Sequence, residues 1–325
     1  MVLGLGGLAI VVVVWFCLQV VPLGGPGHWV IVTVKPGDSV GVIAGKLQTK
    51  GVVGSSLALR IDTLLFGAPT IQAGSYQIRQ NSSFSTVKSL LGAGPNVSIL
   101  SVTAGLTLHE VALRVAGDLD NTFANSFVLE ARKAAAASPF KPGSSLEGLI
   151  APGDYILRPG ETPAELVAAM TKAFSVEAAS VGFTSATRIN GLNAYQLLIA
   201  ASIVEKEGYY PSNMPKVARV IFNRLEKKGS LQMDSTILYA LNKDGGAVTH
   251  AMLRIKSPYN TYLVNGLTPT PICTVSTFAL NAMLHAPPGP WLYFTVIDQG
   301  GHEAFATTFS EQLANERLAA TRGIG

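Results

Sequence analysis

Along the chain the spacing of hydrophobic and polar positions changes period several times, and each change predicts an element. Residues 3–23 carry no charged side chain, and roughly 20 apolar residues are what a helix needs to span a bilayer core. A single transmembrane anchor is therefore expected over 3–23. It is expected to be retained rather than cleaved, because no small-residue cleavage site follows it and no Lys or Arg precedes it. After a Pro/Gly hinge at 22–27, Trp29–Val34 is β-prone and reads as a strand. Lys35-Pro36-Gly37-Asp38 then forms a turn leading into a helix N-cap. Val40, Ile43, Ala44 and Leu47, at i, i+3, i+4 and i+7, make one core-facing helical stripe. A second helix around 55–65, a strand at Gly74–Arg79 and a short helix over 85–92 complete a small α+β module, 28–97.

Beyond this module a strand at 99–103 leads to Thr107-Leu108-His109-Glu110, a capping box opening a helix with Leu108, Val111, Ala112 and Val115 inward. The alanine-rich stretch 117–145 reads as a helical excursion at the surface. In LEGLIAPGDYIL, 146–157, Gly148, Pro152 and Gly153 interrupt the apolar residues, which predicts a shaped loop rather than a regular element. Thr162, Pro163 and Glu165 combine an N-cap, a first-turn proline and an N3 acid, and start a helix reaching about residue 179. Further on, Val217, Val220, Ile221 and Leu225 line one face of a helix that ends at Gly229. In LQMDSTILYAL, 231–241, Asp234 or Ser235 caps another helix. Segment 257–272 gathers tyrosines, asparagines and prolines, too polar for core and too aromatic for a linker. A strand at 291–297, a turn at 300–303 and a helix from Ser310 close the chain. No period of 20 to 50 residues recurs, which excludes a solenoid. The fold class is α+β: an anchor, a small module, and a larger α+β domain over 98–325.

One helix carries candidate chemistry. Asn193 and Gln196 cap a strongly apolar run in which Leu197, Ala200, Ile203 and Val204 form a stripe, and Glu207 is the next position on that stripe. A carboxylate aimed along an apolar face loses hydration, which raises its pKa and suits a general acid. Glu205 falls nearer the flank and Lys206 toward solvent. Periodicity alone leaves open a second reading, in which Glu205-Lys206-Glu207 is the solvated end of an amphipathic helix.

Composition narrows the classes. The net charge of +4 is scattered, with no basic stripe interleaved with aromatics, so no nucleic-acid site is expected. Cys17 lies in the apolar N-terminal run and Cys273 far downstream, so no disulfide is expected. The five histidines show neither HExxH nor CxxC-type spacing, and no metal or other cofactor is expected.

Five segments in series, ASIVEKE, KVARVIFNRL, LQMDSTILYAL, SPYNTYLVNGLTPTPI, and LYFTV with GGHEAFATT, are similar in order and spacing to the signature series of the endolytic murein transglycosylases, the YceG-like family. LEGLIAPGDY resembles that family's LEGYLFPDTY-type loop, and the upstream TVKPGDSVGVIAGKL resembles the start of a LysM-type glycan-binding repeat, so 28–97 is expected to be LysM-like. The chain departs from the pattern at Gly208, where many members have Thr or Ala, at PGDY for PDTY, and at QMDS for QTDP.

The resemblance implies a lytic transglycosylase that cuts the β-1,4 bond between N-acetylmuramic acid and N-acetylglucosamine within nascent strands. The products carry 1,6-anhydro ends, and strand length is thereby limited. It implies Glu207 as the catalytic residue. It also implies sugar or amide contacts from the matched segments: Glu147, Gln232, Asp234, Ser235, Tyr259, Asn260, Thr261 and Tyr262. Peptidoglycan strands are the expected partner, cell-wall synthases (penicillin-binding proteins) a further one, and the globular part is expected outside the cell membrane. Two other readings stand beside this one. One is a lysozyme-type hydrolase in which Asp234 or Glu147 activates water; the other is a glycan-binding scaffold without turnover.

Overall fold

The computed structural model describes residues 2–141, 143–208 and 210–324, with side chains described from residue 11 onward. The chain divides into two compact units, one comprising Met1–Ile99 with Ile156–Glu161, the other Leu100–Tyr155 with Thr162–Gly325. The described elements are helices and four two-stranded sheets, an α+β fold.

The first unit opens with α1 (Val2–Val20), followed by β1 (Trp29–Val34), α2 (Val40–Thr49), α3 (Ser56–Phe66), β2 (Gly74–Arg79) and α4 (Phe84–Ala93). β1 and β2 pair antiparallel from Trp29↔Arg79 to Val34↔Gly74. Alternate residues of these strands, Val32, Val34, Tyr76 and Ile78, face inward with Ile43, Ala44 and Leu47 of α2 and Ala58 and Leu59 of α3, as period-2 and period-3.6 patterns require. Val40 is exposed, so the expected stripe of α2 starts one turn later. The cap of α2 is Ser39, whose side chain accepts from Val42 N, while Asp38 pairs with Lys46 at 2.5 Å.

The expected anchor is helical over Val2–Val20, with Phe16 and Val20 packed on the core of this unit and Val11 to Val14 exposed. Among the described residues no helix is long and apolar enough to cross a membrane. The side chains of residues 3–10, the first part of the expected span, lie outside the described ones.

The second unit contains most of β3 (Ser98–Val102) and β4 (Gly153–Leu157), with α5 (Leu108–Asp118), α6 (Asn121–Ala137) and α7 (Pro163–Ser180). Both expected capping boxes, Thr107 with Glu110 and Thr162 with Glu165, are formed. The loop expected at 146–157 ends in regular structure, because its last five residues form β4, which pairs with β3. A short hairpin, β5 (Arg188–Ile189) and β6 (Leu192–Asn193), delivers the chain into α8 (Ala194–Glu207). Then follow α9 (Met214–Glu226), α10 (Asp234–Ala240), α11 (Thr277–Leu284), the hairpin β7 (Tyr293–Val296) with β8 (Glu303–Ala306), and α12 (Phe309–Thr321).

α8 is the centre of this unit. Asn193 and Gln196 form the capping box at its start, and α9, α10 and α11 pack around it. Every residue from Leu197 to Val204 is buried, so the helix has no solvated side along most of its length. Complete burial of a polar group requires a partner. Ser202 has several: its Oγ donates to Ile199 O at 2.7 Å and accepts from Ile272 N at 3.0 Å, and the Cys273 thiol donates to Ser202 O. These bonds hold the end of segment 257–273 along α8.

Candidate active site

Glu207 is the last residue of α8. The C-cap is Gly208, with ψ 90. A Cβ at Gly208 would come within 2.6 Å of Met214 Cγ and 3.0 Å of Val204 O. That close approach accounts for glycine at a position where the resemblance gives larger residues.

The two acids of α8 have different fates. Glu205 Oε2 accepts from Ser276 N at 2.8 Å and from Ser276 Oγ at 2.6 Å, and Ser276 is the N-cap of α11. Glu205 thus joins two helices. Glu207 Oε1 accepts from Ser235 Oγ at 2.6 Å and from Ser235 N at 3.2 Å. The side chain is only part-buried, so it is drawn out of bulk water yet stays reachable.

Burial is the largest influence on the Glu207 carboxyl and pushes its pKa above the ordinary carboxylate value. The hydroxyl and N–H of Ser235 pull it back, the charge of Asp234 raises it, and the Arg224 guanidinium lowers it. These are the opposing effects of desolvation, hydrogen bonding and neighbouring charge. Arg224 is held from α9 by bonds to Leu292 O (2.6 Å) and Leu231 O, and lies 5.4 Å from the centre of the Tyr293 ring. Burial lowers its own pKa, while Tyr293, Tyr262 and Glu207 oppose that. Arg224 was not among the residues expected from sequence. Its placement beside Asn223 on the polar edge of α9 was the available signal.

Ser235 does not cap α10, and neither does Asp234. The N-cap position is Met233, without a side-chain cap. Ser235 sits in the first turn and spends its donors on Glu207. Asp234, exposed, accepts from Tyr262 OH at 2.6 Å, and the Tyr262 phenol pKa is raised by burial and by that carboxylate. Gln232 has φ +51, a left-handed conformation that turns the chain into α10, and its exposed side chain is free of these ties.

The tyrosine and asparagine segment is fastened to α10 from below. Gln232 N donates to Thr261 O at 2.9 Å, Met233 N to Thr261 Oγ1 at 3.0 Å, and the hydroxyls of Thr236 and Thr261 are 2.8 Å apart. Asn260 is fully buried. Its Nδ2 donates to Leu253 O and Ile255 O, and its Oδ1 accepts from Tyr262 N. Asn260 and Thr261, both expected as substrate contacts, are buried with their side-chain polar atoms bonded within the segment and to α10. Tyr259 OH bonds Thr270 at 2.8 Å, and its ring packs against Tyr239 at 4.9 Å.

Glu147 lies away from Glu207, within the same unit. It is 4% exposed. Oε1 accepts from Leu108 N at 2.8 Å and Oε2 from Tyr239 OH at 3.1 Å. Burial raises its pKa to about 7 against the pull of these two bonds, with Glu110 adding to the rise. Gly148 beside it has φ +75, and a Cβ there would meet Pro271 Cβ at 2.6 Å. The loop 146–152 is therefore pressed against 271–273, with glycine required twice over.

Among the described residues no group of three or more His, Cys, Asp or Glu could hold a metal ion. The arrangement around Glu207 is that of a site with a single part-buried acid, flanked by a serine donor pair, a guanidinium and a tyrosine–aspartate pair.

The YceG-like family model matches residues 32–318, and the chain belongs to that family. It is 30% identical over 297 residues to a Bacillus subtilis protein named endolytic murein transglycosylase, covering 86% of this chain and 82% of the relative. It is 27% identical over 303 residues to the Streptococcus pneumoniae R6 protein of the same name, covering 82% of this chain and 54% of that protein. The chain thus spans about half of the streptococcal relative. A crystal structure of a YceG-like protein from Listeria monocytogenes shares the fold, with a TM-score of 0.60 at 24% identity, over 89% of this chain and 99% of that one.

Proposed function

We propose that this chain is an endolytic murein transglycosylase that cuts peptidoglycan strands with Glu207 as its one acid and base. The observation that carries this reading is the Glu207 carboxyl itself, raised in pKa by burial, part-open to solvent and held by Ser235. A raised pKa favours the protonated carboxyl, the form a general acid starts from. Protonation of the glycosidic oxygen by Glu207 lets the bond to the anomeric carbon of the muramyl residue break. The carboxylate left behind removes the proton of the muramyl 6-hydroxyl as that oxygen closes the 1,6-anhydro ring. Glu207 is regenerated, and no water is consumed.

Arg224 and the Ser235 donors stabilise the ionised carboxylate between the two steps. Gln232, Asp234, Tyr259 and Tyr262 line the approach as contacts for sugar hydroxyls and acetamido groups, Tyr262 fixed by Asp234. A two-carboxylate hydrolytic scheme is less well served. Glu147 is buried with both oxygens occupied, and Asp234 is engaged with Tyr262.

The membrane anchor at 3–23, the LysM-like character of 28–97 and the catalytic domain over 98–325 belong to the same proposal. The uncharged N-terminal run supports the first, the antiparallel β1 and β2 enclosing α2 and α3 the second. A globular part outside the cell membrane, with cell-wall synthases as candidate partners, belongs to the same reading and is supported by peptidoglycan as the substrate. Cleavage in ¹⁸O-labelled water tests the chemistry. Unlabelled anhydro ends are expected, and ¹⁸O at the new reducing end would show hydrolysis instead.

A further inference from the structure

Ser235 and Tyr239 stand four residues apart on α10, and such positions share one helix face. Ser235 donates to Glu207 and Tyr239 donates to Glu147. The other oxygen of Glu147 accepts from Leu108 N, in the first turn of α5. A continuous set of bonds therefore runs from α5 through Glu147, Tyr239 and α10 to the Glu207 carboxyl. We propose that Glu147 is a positioning residue for the reaction: as a carboxylate it fixes Tyr239, and through α10 it sets where the Ser235 donors meet Glu207. The proposal rests on Glu207 being the reacting acid.

The two oxygens of Glu147 each serve as an acceptor, which the ionised form satisfies fully. A proton on Oε2 competes with the Tyr239 hydroxyl for that place and loosens α10. Burial raises the Glu147 carboxyl to about 7, so the tie is sensitive to pH around neutrality. The titratable and charged groups facing Glu147 are Glu110 from α5, Tyr195 from α8, Tyr239 from α10, and Cys273 from the segment before α11. His109 and Arg132 share with it the lining of a cavity of about 580 Å³. Tyr195 also feels Glu147 and Tyr259, its hydroxyl pKa pushed up to about 12, chiefly by burial.

The ionised form leaves Oε2 free to accept from Tyr239, so kcat of the wild type should fall on the acid side as pH drops through about 7. Ionisation of Glu207, whose pKa burial raises, sets a separate limb in which kcat falls as pH rises. Glu147→Gln keeps the shape and one acceptor but cannot titrate, and Tyr239→Phe cuts the tie while leaving Glu147 in place. Both variants are expected to lose the acid limb, to lower kcat by about tenfold, the effect of one modest hydrogen bond, and to leave KM within about twofold. The double variant should be no worse than either single one, because both break one chain of bonds. An acid limb retained in both variants would overturn the proposal.

Should Glu147→Gln fail to fold, Tyr239→Phe carries the test. A second readout does not depend on turnover. The infrared band of the Glu207 carboxyl, assigned by its loss in Glu207→Gln, should shift in Glu147→Gln and in Tyr239→Phe. An unmoved band counts against the coupling. If the wild type makes no anhydro ends, the functional reading fails, and the band still decides whether Glu147 and Glu207 are linked.

Discussion

Glu147→Gln changes the pH dependence of stability in a direction and by an amount that follow from one buried group. In the folded chain the Glu147 carboxyl is raised to about 7 from an ordinary 4.5, mainly by burial. Between these values the unfolded chain has lost the proton and the folded chain still holds it. Stability contributed by this group is therefore fully present below pH 4.5 and is lost as pH rises through about 7. At about 1.36 kcal/mol per unit, the gap corresponds to about 3 kcal/mol. The group is 4% exposed, so screening by solvent takes little from that figure. Glutamine has no proton to lose, and its own packing effect is the same at every pH. The stability of Glu147→Gln relative to the wild type should thus improve by about 3 kcal/mol between pH 4.5 and a pH well above 7. Urea denaturation of the full chain in detergent, followed at Trp291 with Trp15 and Trp29 replaced by Phe in both proteins, measures it. A difference between the two proteins that stays constant across this range would refute the reasoning.

Other substitutions test neighbouring parts of the account. Ser235→Ala removes the 2.6 Å hydroxyl bond to Glu207 and keeps the N–H. A bond to a charged group contributes about 1.5–3 kcal/mol, so kcat should fall by about 10- to 100-fold. The alkaline limb should move to higher pH, since Ser235 holds the Glu207 pKa down; an unchanged pH profile of anhydro product would count against the assignment. Gly148→Ala forces a Cβ into Pro271 at a residue with φ +75, which should cost about 1–3 kcal/mol or more in denaturation experiments. Glu205→Gln weakens the tie to Ser276 at the start of α11 and should cost about 1 kcal/mol of stability while leaving product formation within about threefold of wild type, because one lost structural bond need not alter the transition state.

Much of the architecture is legible in local pattern, since caps, glycines and apolar periods act over a few residues. The boxes at Thr107, Thr162 and Asn193 each formed where a side-chain acceptor precedes an N3 Glu or Gln. The environment of Glu207 was less legible. The stripe of Leu197, Ala200, Ile203 and Val204 is real but not selective, because α9, α10 and α11 enclose α8 and bury Leu198, Ile199 and Ala201 as well. What separates Glu207 from Glu205 is the serine each one meets, Ser235 or Ser276, dozens of residues downstream. No local period records such pairings. Asn260 shows the same limit from the other side: a polar residue in a segment too polar for core is buried because backbone groups at 253, 255 and 262 use its whole amide. Arg224, placed by backbone carbonyls of Leu231 and Leu292, was visible only as a charge on the edge of a helix.

The central claim is that one carboxyl, Glu207, both gives and takes the proton. Purified glycan strands treated with the wild type, Glu207→Gln and Glu205→Gln, with products weighed by mass spectrometry, test it most directly. Anhydro ends from the wild type and Glu205→Gln, and none from a folded Glu207→Gln, are predicted. Undiminished anhydro product from Glu207→Gln would contradict the account.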